Sequence, residues 1–371
     1  ATVANDNGQI TNNNIYNIHR ASVDNAAIHL YNFSPAWTIT GNKIYQEATR
    51  TSVTSTNYGI LLSQATSNGV LIDDNTIGYA AANGTGTTGY NTSTSGAARF
   101  CAISVNSSAS GALNTITGNT IGGISVFTTS GGAPTIPAFG GVLVFNGKYL
   151  VDDNTIDGIN VTTNTATTLN NSPVGILSSS TATGQTISNN RIGAISFALS
   201  SGTLAVNMAA IKVATGSVNV QDNTIGTASA SSFLVSNPGT GSALCYGIWA
   251  GSGSVYTVDI SGNTIQNLAT SNVGAGTTSQ VIGINTSAGG LYSVDNNTIK
   301  FLTTNSQNVS ATAISVAGIY AVSANTQAHS VSGNTIYGLS NTSAVNATMA
   351  GIYFTGNSSA VSQIAKNFIY N

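Results

Sequence analysis

Ten aspartates, one glutamate (Glu47), three histidines and two cysteines are the acid–base, metal-binding and nucleophilic groups of this 371-residue chain. The densest acids are Asp73-Asp74 and the run Asp152-Asp153-Asn154-Thr155-Ile156-Asp157. Paired carboxylates serve glycoside hydrolysis when they stand about 5–5.5 Å or 6.5–9.5 Å apart. They serve calcium when six to eight oxygens converge. Asp152, Asp153 and Asp157 can supply part of such a set and are the candidate Ca2+ ligands. Arg99 and Lys148 are the nearby bases, and neither belongs to a catalytic motif. His19, His29 and His329 are too scattered for a metal-ligand spacing. No Ser/His/Asp arrangement or phosphate-binding loop stands out; glycine pairs such as Gly131-Gly132 read as loop turns. The expectation is a protein without a catalytic centre.

Those residues sit on a repeated frame. An aliphatic residue, two spacers, an asparagine, one residue and an isoleucine recur eleven times, centred on Asn13, Asn42, Asn75, Asn119, Asn154, Asn190, Asn223, Asn263, Asn297, Asn334 and Asn367. The intervals are 29, 33, 44, 35, 36, 33, 40, 34, 37 and 33 residues. A repeat of that length over a whole chain marks a solenoid. The expected architecture is an all-β, right-handed parallel β-helix of about eleven coils of ~35 residues, stacked ~4.8 Å apart. It occupies 1–371 as one domain, with further coils or a cap expected beyond it as part of a longer protein. Asparagine suits a corner because it tolerates the left-handed conformation and offers both donor and acceptor. Stacked corners then form an amide ladder.

A second phrase, a small residue followed by Ile or Val, recurs from Ala27-Ile28 to Gly351-Ile352. It precedes the next asparagine by 13–17 residues, whereas the stretch from each asparagine to the next such phrase varies from 14 to 27. One side of each coil is therefore fixed and the other carries insertions, the longest including Tyr79 to Phe100 and Gly226 to Ser242. Strand alternation turns the residue after each small-Ile phrase outward. That column reads His29, Leu61, Ser104, Leu143, Leu177, Lys212, Trp249, Asn285, Tyr320 and Tyr353. Its neighbouring outward position is read as the Gly or Ala of the phrase, giving a shallow strip. Trp249, Asn285, Tyr320 and Tyr353 are the candidate glycan contacts, since such sites combine apolar platforms with a few polar groups. Packing under the chain's own loops is the competing reading, favoured by Leu61, Leu143 and Leu177.

Composition narrows the partners. Charged residues are 5% of the chain and the net charge is −2, which gives no electrostatic footprint for nucleic acid. No apolar run reaches the ~18 residues of a membrane span. The opening Ala1-Thr2-Val3-Ala4 lacks the basic and apolar regions of a signal peptide. Cys101 and Cys245 lie four repeats apart, beyond disulfide reach, and read as buried small hydrophobes.

The Asn-Thr-Ile and Gly-Ile phrases resemble those of right-handed parallel β-helix proteins, a group that includes pectate-lyase-like enzymes, phage tailspikes and bacterial surface proteins. The nearly uncharged Thr/Ser/Asn/Gly composition looks most like long secreted surface proteins of Bacteroidetes-type bacteria, often exported by a type IX route. The resemblance implies a secreted or cell-surface protein acting in adhesion or structural display. Its partners would be extracellular glycans or surface components and the secretion and anchoring machinery. Two alternatives stand beside it: a polysaccharide lyase or hydrolase, and a passive stalk or passenger of a secretion system.

Overall fold

The computed structural model describes residues 7–32, 35–63, 68–92, 97–129, 136–164, 172–200, 204–251, 253, 255–272, 279–287, 289–309, 313–323, 325–356 and 360–371. Ala1 to Ala4 and the Gly131-Gly132 pair fall outside them. Every strand pairing among the described residues is parallel, in three sheets of 11, 16 and 10 strands. The fold is an all-β parallel solenoid. The third sheet has ten strands against eleven in the first, so the complete turns number slightly fewer than the eleven copies of the asparagine phrase.

The chain passes through the sheets in a fixed order. A first-sheet strand such as Tyr149–Asp152 leads to the asparagine corner, and a second-sheet strand such as Thr155–Thr163 follows. A third-sheet strand such as Val174–Ser178 then returns to the next first-sheet strand. Register is strict: Ile72, Ile116, Val151, Ile187, Val220, Ile260, Val294 and Val331 pair rung by rung in the first sheet. These side chains are at most 1% exposed and belong to one interior core running along the axis. Inward burial of β-branched residues is what holds such strands, since each strand alone buries nothing.

The small residue of the second phrase turns inward, correcting its outward placement. Third-sheet pairing passes over it on each rung: Cys101 pairs with Tyr58 and Ile103 with Ile60, leaving Ala102 and Gly59 between. Ala102 and Ile103 both lie in the interior core. A Cβ on Gly59, Gly141 or Gly247 would come within 2.8 Å of Ile77, Ile156 or Ile265, the isoleucines of the asparagine phrase. The same Cβ would also meet the carbonyl oxygen of the next coil's small residue at 2.4–2.5 Å. The two phrases therefore interlock, the isoleucine of one filling the space left by the missing side chain of the other. Two successive inward residues break the period of two at this point.

The insertions also differ from expectation. Rather than loops alone, they contribute strands to the second sheet: Thr88–Thr92 pairs with Ile124 to Phe127, and Phe233–Asn237 with Ile195 to Ala198 and Leu268–Asn272. Phe233 and Val235 are fully buried there, so these segments add core.

Candidate functional site: an outer strip beside an asparagine ladder

Eleven asparagines form one unbroken ladder at the corner between the first and second sheets. Asn154 illustrates a rung. Its backbone N–H and its Nδ2 both donate to Asn190 Oδ1, each at 3.0 Å. Nδ2 also faces the carbonyls of Ile116 and Asp152 at 2.9 Å. The same double donation links Asn13 to Asn42 and continues to Asn334 and Asn367. Both lone pairs of each receiving Oδ1 are used, as is the corner N–H. The nine asparagines from Asn42 to Asn334 are at most 1% exposed. They are scaffold, with no polar atom left to offer a ligand.

The left-handed backbone falls on the residue before the asparagine, not on the asparagine itself. Asn12, Gly41, Asp74, Gly118, Asp153, Asn189, Asp222, Gly262, Asn296, Gly333 and Lys366 all have φ between 51° and 68°. Glycine, aspartate and asparagine tolerate that region best.

The aspartates act as staples between coils. Asp152 accepts Ser188 Oγ at 2.6 Å and Asn189 Nδ2 at 2.8 Å. Asp157 pairs with Arg191 at 3.1 Å and accepts the Ala194 N–H at 2.6 Å. Asp153 is exposed at its left-handed corner. The structure therefore does not gather Asp152, Asp153 and Asp157 around one point. Among the described residues no group of three or more His, Cys, Asp or Glu is close enough to hold a metal ion. Asp73 and Asp152 are separated by the rung of Thr117. Burial raises the Asp295 carboxyl, but hydrogen bonds from Ser293, Ser332 and Ser330 outweigh it and hold the group below its ordinary range. Its neighbour Asp259 is raised by burial and by the charge of Asp295. No acid among the described residues has the partner set of a catalytic centre. Cys101 and Cys245 are free, fully buried, and raised by that burial, so neither thiol is activated.

The outward column of the third sheet is as expected in register. Lys212, Trp249, Asn285, Tyr320 and Tyr353 occupy successive rungs. Leu143 and Leu177, further up the column, are buried with Cys101 and Val174 in an outer cluster. Around Trp249 a second outer cluster contains Ala209, Tyr246, Ile282, Ile314 and Ala317, with Trp249, Tyr320 and Tyr353 half-buried against it. Lys212 Nζ stands 5.1 Å over the Trp249 ring. Burial lowers the Lys212 pKa to about 8. The far edge of the indole lies on Gly251, where a Cβ would come within 2.3 Å of it. Tyr320 and Tyr353 stack with centroids 4.9 Å apart and planes 8° apart. That distance equals the rung spacing, so the stacked faces point along the axis.

The rings are therefore only partly free platforms. Cation–π and stacked contacts already use one face of each. The two tyrosine hydroxyls take no part in these contacts. Asn285, 7% exposed between Trp249 and Tyr320, has an Oδ1 without a hydrogen bond. Sequence reasoning found the column but missed the ring orientation, for which rung spacing between consecutive tyrosines was the available signal.

These features define a parallel β-solenoid with an internal asparagine ladder and an aromatic outer strip. No protein-family model, curated protein or solved structure matches the chain. No helix of the described residues is long and apolar enough to cross a membrane.

Proposed function

We propose that this chain is part of a secreted or cell-surface protein of non-enzymatic kind, a rod that serves structural display or adhesion. Its partners would be extracellular glycans or other surface components, met along Trp249, Asn285, Tyr320 and Tyr353, with secretion and anchoring machinery delivering it. The observation that carries the reading is the strip: half-buried aromatics, a lysine and an amide on consecutive rungs of a rigid sheet. Regular spacing at ~4.8 Å suits an elongated partner whose polar groups repeat. The resemblance to pectate-lyase-like β-helices and to surface proteins of Bacteroidetes-type bacteria supports the same localisation. Calcium at Asp152, Asp153 and Asp157 is not part of the reading, because those carboxylates are dispersed or engaged between coils.

Because one face of each ring is occupied, sugar contact would run largely through the hydroxyls. A glycan-array screen of the intact chain beside a Tyr320→Phe/Tyr353→Phe variant tests this. Bound glycans whose signal falls about tenfold in the variant, with the unfolding midpoint unmoved, are the expected result. Glycan binding that ignores the two hydroxyls would exclude the strip as the contact. No binding at all would favour the passive stalk, which the contact of Lys212 with Trp249 and the Tyr320–Tyr353 stack also suit. Release of unsaturated or reducing sugars from a polysaccharide would instead establish the lyase or hydrolase.

A further inference from the structure

The interior is apolar or fully hydrogen-bonded along the ladder, but near the C-terminal coils it contains an imidazole. His329, 4% exposed, follows the outer-loop residues and directly precedes the first-sheet strand Ser330–Ser332. Its ring stacks on Tyr292 at 6.0 Å and meets Phe354 edge-on at 6.3 Å. The Tyr292 backbone N–H donates to His329 Nδ1 at 3.2 Å. An acceptor at Nδ1 requires a neutral ring with its proton on Nε2. Among the described residues that Nε2 has no partner of full hydrogen-bond geometry, although the Asn325 backbone acts on the ring, and Thr286 Oγ1, on a side chain that is 0% exposed, has none either.

Both groups line the same cavity, with Ser323, Ser330, Tyr292 and Phe354 among its walls. Its volume is about 10 Å³, at the lower limit of the room one water requires. Ser323 and Ser330 are already committed, donating to the Gly290 carbonyl at 3.0 Å and to Asp295 at 3.1 Å. The space thus presents one donor, His329 Nε2–H, and one hydroxyl able to accept or donate, Thr286 Oγ1. A buried pair of this kind costs stability unless something of water size joins it.

We propose that this cavity is an internal binding site for one water molecule, bridging His329 Nε2–H and Thr286 Oγ1, and that it makes His329 the acid-sensitive point of the core. Protonation would place a second N–H on Nδ1, directly opposite the Tyr292 N–H that now donates to it. Two donors then face each other across 3.2 Å in a buried site. The Tyr292 hydroxyl is the titratable group stacked nearest, and it donates to the Ala250 and Ser287 carbonyls. Asp295 lies behind Ser330 on the outer side of its sheet, and Tyr320 and Tyr353 lie on the outer side of theirs. Among the described residues no carboxylate acts on the ring to stabilise an imidazolium. His329 also anchors the next coil, its carbonyl accepting the Gln363 N–H at 2.8 Å and its N–H reaching Ser362 Oγ at 3.1 Å. Loss of the neutral ring therefore loosens the strand Gln363–Ala365.

The test is long-range proton–nitrogen NMR on the intact chain with labelled histidine, which has three rings to assign. His329 is expected as the Nε2–H tautomer at pH 7, with a cross-relaxation peak from that proton to a bound water. The Thr286→Val variant, which keeps the volume and removes the hydroxyl, should keep the tautomer and lose the water peak. Lowering the pH toward 5 should cut the protection of the Gln363 amide, its exchange taken relative to the intrinsic rate at each pH, at least tenfold in the native chain, and His329→Gln should abolish that loss of protection. An Nδ1–H tautomer, a water peak indifferent to Thr286→Val, or Gln363 protection that does not fall with acid would each overturn the proposal.

Discussion

The asparagine corner and the outer face of the third sheet are built on the same rungs, yet one is uniform and the other is not. At the corner the same amide returns eleven times, and each buried copy spends its oxygen and its N–H groups on neighbours. On the outer face successive rungs read Leu177, Lys212, Trp249, Asn285 and Tyr320. Repetition marks positions where the fold makes the same demand on every coil. Variation marks positions where it makes none beyond burial, and there a partner can select the side chain. The corner is therefore scaffold, and the third sheet's outer column is where recognition can be encoded.

The largest effect expected from breaking this contrast is at the ladder. Asn190→Ala leaves the Asn154 N–H and Nδ2 without their shared acceptor and the Asn223 oxygen without one of its two donors. Each orphaned buried group costs about 1–3 kcal/mol, so a loss of about 3–5 kcal/mol in urea unfolding is expected. A loss under about 1 kcal/mol would mean that the ladder is decorative.

A smaller effect is expected where the two phrases interlock. Gly247→Val pushes a branched side chain against Ile265 and the Gly283 carbonyl, whose oxygen would stand 2.5 Å from the added Cβ, at about 1–3 kcal/mol. Gly247→Ala adds the same Cβ and should already carry much of that cost, the branched methyls of valine adding to it. A Gly247→Ala chain as stable as the native one would argue against steric interlocking.

The smallest effect sharpens the outer face. Lys212 titrates at about 8 in the folded chain because burial disfavours its charge, whereas an unfolded lysine titrates near 10.4. Between pH 8 and about 9.5 the unfolded chain holds the Lys212 proton that the fold has lost, so this residue's contribution to stability rises with pH. Cys101 and Cys245 act in the opposite direction, because burial keeps on the folded thiols protons that the unfolded ones release, so the urea midpoint itself should fall, and fall less in the native chain than in Lys212→Met. Equal falls in the two chains would contradict the burial of the ammonium.

Much of the fold is legible in the residues. Asn-Thr-Ile at intervals near 35 residues announces the coil, the corner and the ladder, because a side chain that must satisfy the backbone on every turn cannot vary. The succession Lys212, Trp249, Asn285, Tyr320, Tyr353 follows from counting rungs. Three things do not follow. Strict alternation puts the small residue outside, and it fails at the point where two residues in a row turn inward. Phe233–Asn237 reads as loop although Phe233 and Val235 are its buried positions, because Ser- and Gly-rich flanks mask the alternation. The aspartates look like ligands because proximity along the chain hides direction: Asp152 and Asp157 both reach to the next coil rather than toward each other.

If the repeated asparagine is the scaffold of the fold, the corner is the part that opens last. Amide exchange of the chain with labelled asparagine measures this directly, since the N–H of each ladder residue from Asn42 to Asn334 donates to the next amide oxygen. These nine amides should exchange only through global opening, orders of magnitude more slowly than those of exposed asparagines outside the strands, such as Asn83 and Asn346. Ladder amides exchanging as fast as the exposed ones would contradict the scaffold role of the corner.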